Sequence, residues 1–202
     1  MSHWIARLAL VSWISITPFS LCNAQTAPAK KASKLAPAQA WTLDASHSQI
    51  GFSTTWAGKA IKGSFGQWSG DIRFDPANLA GSSAVITIMT GSAKTGVKEP
   101  DDNLPGADWF DTRTFPTAHY TTSSIRALGQ NRYNSEGLLT IKGVNYRVAF
   151  PFNVKISGSV ATMTGQVTLD RIALRLGLES DRNAEWVARP TVVTISVRAI
   201  KK

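Results

Sequence analysis

Cysteine is all but missing. Cys22 is the single one, and it stands in an N-terminal segment that reads as removable. Without it the chain has neither a disulfide framework nor thiol chemistry. Acidic residues are scarce too, 13 Asp and Glu against 22 Lys and Arg. The apolar stretch Leu8–Ile16 falls short of the roughly 20 residues a helix needs to cross a bilayer, and no later segment reads as transmembrane. There is no G-x-S-x-G elbow, no phosphate-binding glycine loop and no calcium-loop pattern. The usual sequence signs of hydrolase, nucleotide and EF-hand chemistry are therefore absent. No basic run is interleaved with aromatics, so nothing points to nucleic acid as a partner.

What is present begins with a leader. Met1–Arg7 carries one arginine, Leu8–Ile16 (LALVSWISI) is apolar, Pro18 breaks the run, and Cys22-Asn23-Ala24 closes it. That order is the n-region, h-region and cleavage site of a secretory signal peptide over residues 1–24, so an exported, soluble product is expected. Residues 25–40 (QTAPAKKASKLAPAQA) have almost nothing to bury and read as a flexible linker. The net charge is +9; setting aside Arg7 and the three lysines Lys30, Lys31 and Lys34 leaves a mildly basic remainder. Such a surface suits anionic membranes or anionic ligands. Residues 41–202 are long enough for one domain with a sizeable core.

Their dominant pattern has period two. Val148, Phe150, Phe152, Val154 and Ile156 share one face; Met163, Val167 and Leu169 another; Val193, Ile195 and Val197 a third. Ile50, Phe52, Thr54 and Trp56 alternate with small polar residues, and Tyr133, Leu139 and Ile141 are in phase. Turn chemistry separates the runs. Eight strands are predicted, near 48–56, 60–74, 83–93, 118–127, 132–142, 145–157, 160–170 and 191–200. Short turns make sequential strands antiparallel neighbours, and closing the sheet removes its exposed edges. The all-β solution is an extended eight-stranded up-and-down barrel, with a sandwich as the rival. Pro151 demands a bulge or a locally unpaired backbone. Two long connections, Thr95–Pro116 and Arg171–Pro190, break the hairpin rhythm and read as lid-like, with short helical segments. Alternation alone leaves open whether the barrel is packed or hollow.

Three candidates for chemistry stand out. In DDNLPGADWFD, Asp101, Asp102, Asp108 and Asp111 flank Trp109-Phe110. A metal site needs converging ligands. The favoured reading is a loop whose aromatics dock on the barrel while the acids stay in water. His47, with Asp44 and Ser46 or Ser48, spells triad letters, but within five residues at one strand start, where separate elements normally contribute. His119 reads as structural or exposed. Expected catalytic and metal residues are therefore none.

Several segments, taken in order, resemble the YceI-like family. They are WTLDASHSQIGFSTTWAGKAIKGSFGQWSGDIRFDP, NLPGADWFD with FPTAHYTTSSI, GLLTIKGV, and TLDRIALRLGL with EWV. The resemblance covers nearly all of Trp41–Ile200. It implies a lipocalin-like barrel, export to the periplasm, and a polyisoprenoid chain, such as an isoprenoid quinone or a polyprenyl lipid, held inside. The chain departs from the pattern at Pro100, at Ile172-Ala173 and in ARPTV, which changes the polar groups at the mouth.

The reading that follows is a periplasmic, non-enzymatic binding protein with no cofactor beyond its isoprenoid lipid. Each buried CH₂ of such a tail contributes about 0.8 kcal/mol. Face alternation nominates Phe52, Trp56, Phe65, Trp68, Phe74 and Ile88 as ligand contacts, together with Ile141, Phe150, Phe152, Met163, Leu169 and Trp186. Expected further partners are an anionic membrane surface or, from the company relatives keep, a membrane b-type cytochrome; a dimer stays open. The competing readings are a filled-barrel interaction module partnering a membrane redox protein and a lipid-modifying hydrolase using His47.

Overall fold

The computed structural model describes residues 36–202. The expected signal peptide, and the expected linker as far as residue 35, lie outside the described residues. Within 36–202 eleven strands form one antiparallel sheet. They are β1 (Ala40–Leu43), β2 (Gln49–Trp56), β3 (Lys59–Phe65), β4 (Trp68–Arg73), β5 (Ser83–Met89) and β6 (Ala93–Lys94). There follow β7 (Thr117–Gly129), β8 (Arg132–Ile141), β9 (Val144–Ser157), β10 (Val160–Asp170) and β11 (Pro190–Lys201).

Two interruptions of expected strands, and β1, which precedes the first expected strand at 48–56, explain eleven strands where eight are expected. A 3₁₀ turn, Ala45–His47, separates β1 from β2; Gly66-Gln67 separates β3 from β4; a second 3₁₀ turn, Thr90–Ser92, separates β5 from β6. The last two breaks lie side by side. Gly66 and Gln67 donate their N–H groups to the backbone oxygen and the hydroxyl of Ser92, so the backbone groups freed there are met locally. Joined across the breaks, the strands make eight ribbons, each paired with the next in sequence. β11 returns to pair with β1 and β2, closing an up-and-down barrel.

The alternation read from the sequence is the alternation observed. Along β9, Val148, Phe150, Phe152 and Val154 are buried while the residues between them face water. Each such side chain contributes at most roughly 1.5–3 kcal/mol by burial. Ile156 departs from its expected face, exposed where the strand runs out. Pro151 pairs with Asn134 on β8, but the ladder from β9 to β10 begins only at Phe152–Gly165. A residue with no N–H stands where the sheet parts.

The segment just before residue 41 is in contact with the barrel. Ala38 is buried and donates its N–H to Gly81, Asn78 Nδ2 donates to the carbonyl of Ala36, and Ala40 opens β1. An Ala-rich stretch gives no compositional sign of a partner some forty residues downstream. Residues 36–40 therefore belong to the barrel.

At the end that carries the turns after β4, β7 and β9, aromatics plug the barrel. Phe74 and Tyr133 meet edge to face at 5.0 Å, and Tyr133 and Phe152 lie at 5.6 Å. Trp41 Nε1 donates to the Phe74 carbonyl at 2.8 Å. The opposite end receives both long connections.

Candidate functional site

Between plug and connections the barrel is hollow. The cavity measures about 330 Å³, within the range of small-molecule sites. Inward side chains that a packed core would seal, among them Phe52, Phe65, Met163, Val193 and Ile195, remain half-exposed because they border this space.

Eleven of the twelve nominated contacts line it. Phe52 and Trp56 come from β2, Phe65 from β3, Trp68 from β4, and Ile88 from β5. Phe74 follows β4; Ile141 comes from β8, Phe150 and Phe152 from β9, Met163 and Leu169 from β10. Trp186 does not. It is 66% exposed, in the second long connection, where its carbonyl accepts from Ala57 N–H. Outside a strand no alternation fixes which way a side chain points, and here it points away from the cavity.

The two long connections roof the cavity. The first holds the helix α1 (Lys98–Asn103) and turns that bring Leu104, Trp109 and Phe110 to the lining. Phe110 is buried and meets Phe65 edge to face. The second contributes Leu174, Leu176 and Val187. What joins them is polar. Arg171, 1% exposed, donates to the carbonyls of Leu176, Gly177, Asp181 and Val187 and to the carboxylate of Asp181. Its guanidinium also lies 5.6 Å from the Trp109 ring, in cation–π range. The Asp181 carboxylate accepts N–H groups from Glu185, Trp186 and Val187 in return.

The acids of DDNLPGADWFD split between roles. Asp102 stays in water, ion-paired with Lys98. Asp101 accepts from the N–H and hydroxyl of Thr95 and the N–H of Gly96, and those bonds hold its carboxyl below the ordinary range. Asp108 reaches across to Ser180 and Glu179. Burial pushes its carboxyl up, but the Ser180 hydroxyl and the two N–H groups outweigh this and leave it lowered. Lys142 Nζ donates to the carbonyls of Asp108 and Arg175, tying both connections to the β8–β9 turn; burial lowers its ammonium. Asp101 and Asp108 are thus staples rather than a solvated face. Among the described residues no three His, Cys, Asp or Glu gather as a metal site would.

His47 lies away from the cavity, on the 3₁₀ turn between β1 and β2, with its side chain mostly in solvent. Ser46 Oγ at 3.0 Å and the Asp44 carboxylate at 3.0 Å both engage Nδ1. A nucleophile relay needs them on opposite ring nitrogens. Asp44 also pairs with Arg198, so the group fastens the turn to β11. His119, on the outer face of β7, hydrogen-bonds the hydroxyls of Thr87 on β5 and Thr117 through its two ring nitrogens.

Sequence reading missed Arg171 and the hydroxyl group of β7 and β8. There Tyr120 Oη and Ser135 Oγ lie 2.7 Å apart at the cavity wall.

Comparison with known proteins follows the same outline. Residues 41–199 match the model of the YceI-like domain. A UPF0312 protein of Vibrio cholerae is 32% identical over 98 residues, which are 48% of this chain and 52% of that one. The chain thus spans about half the length of the curated relatives it matches. BcnA of Burkholderia cenocepacia superposes with a TM-score of 0.74 at 31% identity, over 77% of this chain and 98% of BcnA. A polyisoprenoid binding domain from Saccharophagus degradans, implicated in plant cell wall breakdown, gives 0.66 at 20% identity, over 81% and 99%. The Campylobacter jejuni YCEI protein gives 0.63 at 18% identity, over 93% and 99%. The last two share the fold.

Proposed function

The chain belongs to the YceI-like family, and on that premise we propose that it binds a long isoprenoid lipid, an isoprenoid quinone or a polyprenyl lipid, in the periplasm. The observation that carries this reading is the hollow apolar barrel, whose inward side chains stay half-exposed around a cavity of about 330 Å³. A linear tail laid along it gains about 0.8 kcal/mol per buried CH₂, less the cost of ordering the chain. The polyisoprenoid binding domain of Saccharophagus degradans lends the same ligand class by its shared fold. The protein needs no catalytic group for this task; it shields the tail from water. Trp186, exposed on the roof, is the apolar side chain suited to meet an anionic membrane surface there.

A substitution inside the barrel tests this against the filled-barrel reading. Val193 lines the cavity and pairs with Phe52 and Val167. In a packed core Val193→Phe costs about 1–3 kcal/mol. In a hollow barrel it is tolerated and displaces the tail. Uptake of a polyprenyl lipid that falls while the unfolding midpoint holds supports binding; loss of stability with no change in uptake overturns it.

A further inference from the structure

Away from its two ends the cavity wall is apolar except where β7 faces β8. Tyr120 and Ser135 are hydrogen-bonded there. Thr122, the next inward position on β7, buries its Oγ1 with no hydrogen-bond partner among the described residues. A buried hydroxyl left unmet is destabilising. Two further features converge on the same place. The β7–β8 register slips between Thr122 and Ser124, a bulge that leaves Ser123 unpaired and lets both Thr122 and Ile125 face inward. Opposite, Gly137 leaves room for the phenol: a Cβ there would stand 2.6 Å from Tyr120 Oη and 2.5 Å from the Thr121 carbonyl.

Among the described residues no cation borders this spot. The two arginines of the lining stand at opposite ends, Arg73 closing β4 and Arg171 engaged by Asp181 and backbone carbonyls. An anionic group would be unmatched here. Burial pushes the Tyr120 phenol up, with the Ser135 hydroxyl offsetting part of the effect, so it remains a neutral donor at physiological pH.

We propose that Thr122, Tyr120 and Ser135 form a hydrogen-bonding seat for one uncharged carbonyl or hydroxyl oxygen of the bound lipid, which places the oxygen-bearing end inside the barrel and not at its mouth. This rests on the cavity being the lipid site. The seat discriminates by the cost of leaving its hydroxyls unpaired, so a ligand without the oxygen binds more weakly.

The test uses two probes, a benzoquinone bearing a prenyl tail and a prenyl hydrocarbon of equal length with no oxygen, each competing with a fluorescent apolar probe. The native protein is expected to prefer the quinone by about tenfold. Thr122→Val with Tyr120→Phe is expected to erase that preference while the hydrocarbon binds as before. The carbonyl stretch of the bound quinone is expected at lower frequency in the native protein than in the double variant. Thr122→Val alone, which removes an unmet hydroxyl at constant shape, is expected to raise the melting temperature of the empty protein by about 2–4 °C. Equal affinity for both probes in the native protein, or a preference that survives in the double variant, overturns the seat alone. Displacement by neither probe overturns the cavity reading with it.

Discussion

Arg171 Nη2 lies 2.6 Å from Asp181 Oδ2, with both side chains withdrawn from solvent. This pair holds the second long connection in the shape that covers the cavity, because the same guanidinium gathers five backbone carbonyls of that connection. Removing the acid leaves a buried cation facing dipoles that do not balance it. Asp181→Ala is expected to destabilise the protein by about 3–5 kcal/mol in denaturant unfolding. Proteolysis is expected to nick the segment between Leu178 and Glu185 before the strands.

The same carboxylate sets an acid limit. Burial pushes Asp181 up, but the N–H groups of Val187, Trp186 and Glu185 and the charge of Arg171 outweigh it, leaving it below its ordinary value. A depressed carboxyl contributes stability that is fully present above the unfolded pKa of about 3.9 and is lost as pH falls through the lower folded value. Asp108 and Asp170 are lowered in the same direction. Stability measured against pH is expected to be flat from neutrality to about pH 5 and to fall below about pH 4. Asp181→Asn is expected to flatten part of that acid limb.

Most of the barrel was legible because period two is written into each strand. The residues that broke the pattern were legible as breaks but not as contacts. Pro151 announced an unpaired backbone, and the ladder to β10 indeed starts one residue later. Thr122 lies in phase with Ala118 and Tyr120, but alternation does not say whether an inward threonine finds a hydrogen-bond partner. Arg171 answers to carbonyls up to seventeen residues ahead, and no sequence spacing encodes those. Trp186 had only its size to recommend it, and size does not orient a side chain in a loop.

Gly63 lies under Phe52. A Cβ at this position would stand 2.3 Å from Phe52 Cζ and 2.7 Å from the Lys94 carbonyl. Gly63→Ala is expected to lower stability by about 1–3 kcal/mol. It is also expected to drive the Phe52 ring into the cavity, lowering the amount of lipid taken up per protein.

Trp186 and His47 make opposite controls on the surface. Trp186→Ala is expected to leave lipid uptake unchanged and to weaken co-sedimentation with vesicles containing anionic lipid. His47→Ala is expected to change neither uptake nor vesicle binding, since its imidazole only fastens the turn beside Asp44. Loss of a lipid-hydrolysing turnover in His47→Ala would restore the enzyme reading.

The most direct measurement is native mass spectrometry of the full-length gene product recovered from its own cell envelope, followed by solvent extraction of whatever dissociates. The account predicts one isoprenoid lipid per barrel, identifiable in the extract. A mass equal to that of the bare polypeptide, with no uptake of quinones or polyprenyl lipids supplied afterwards, would contradict it.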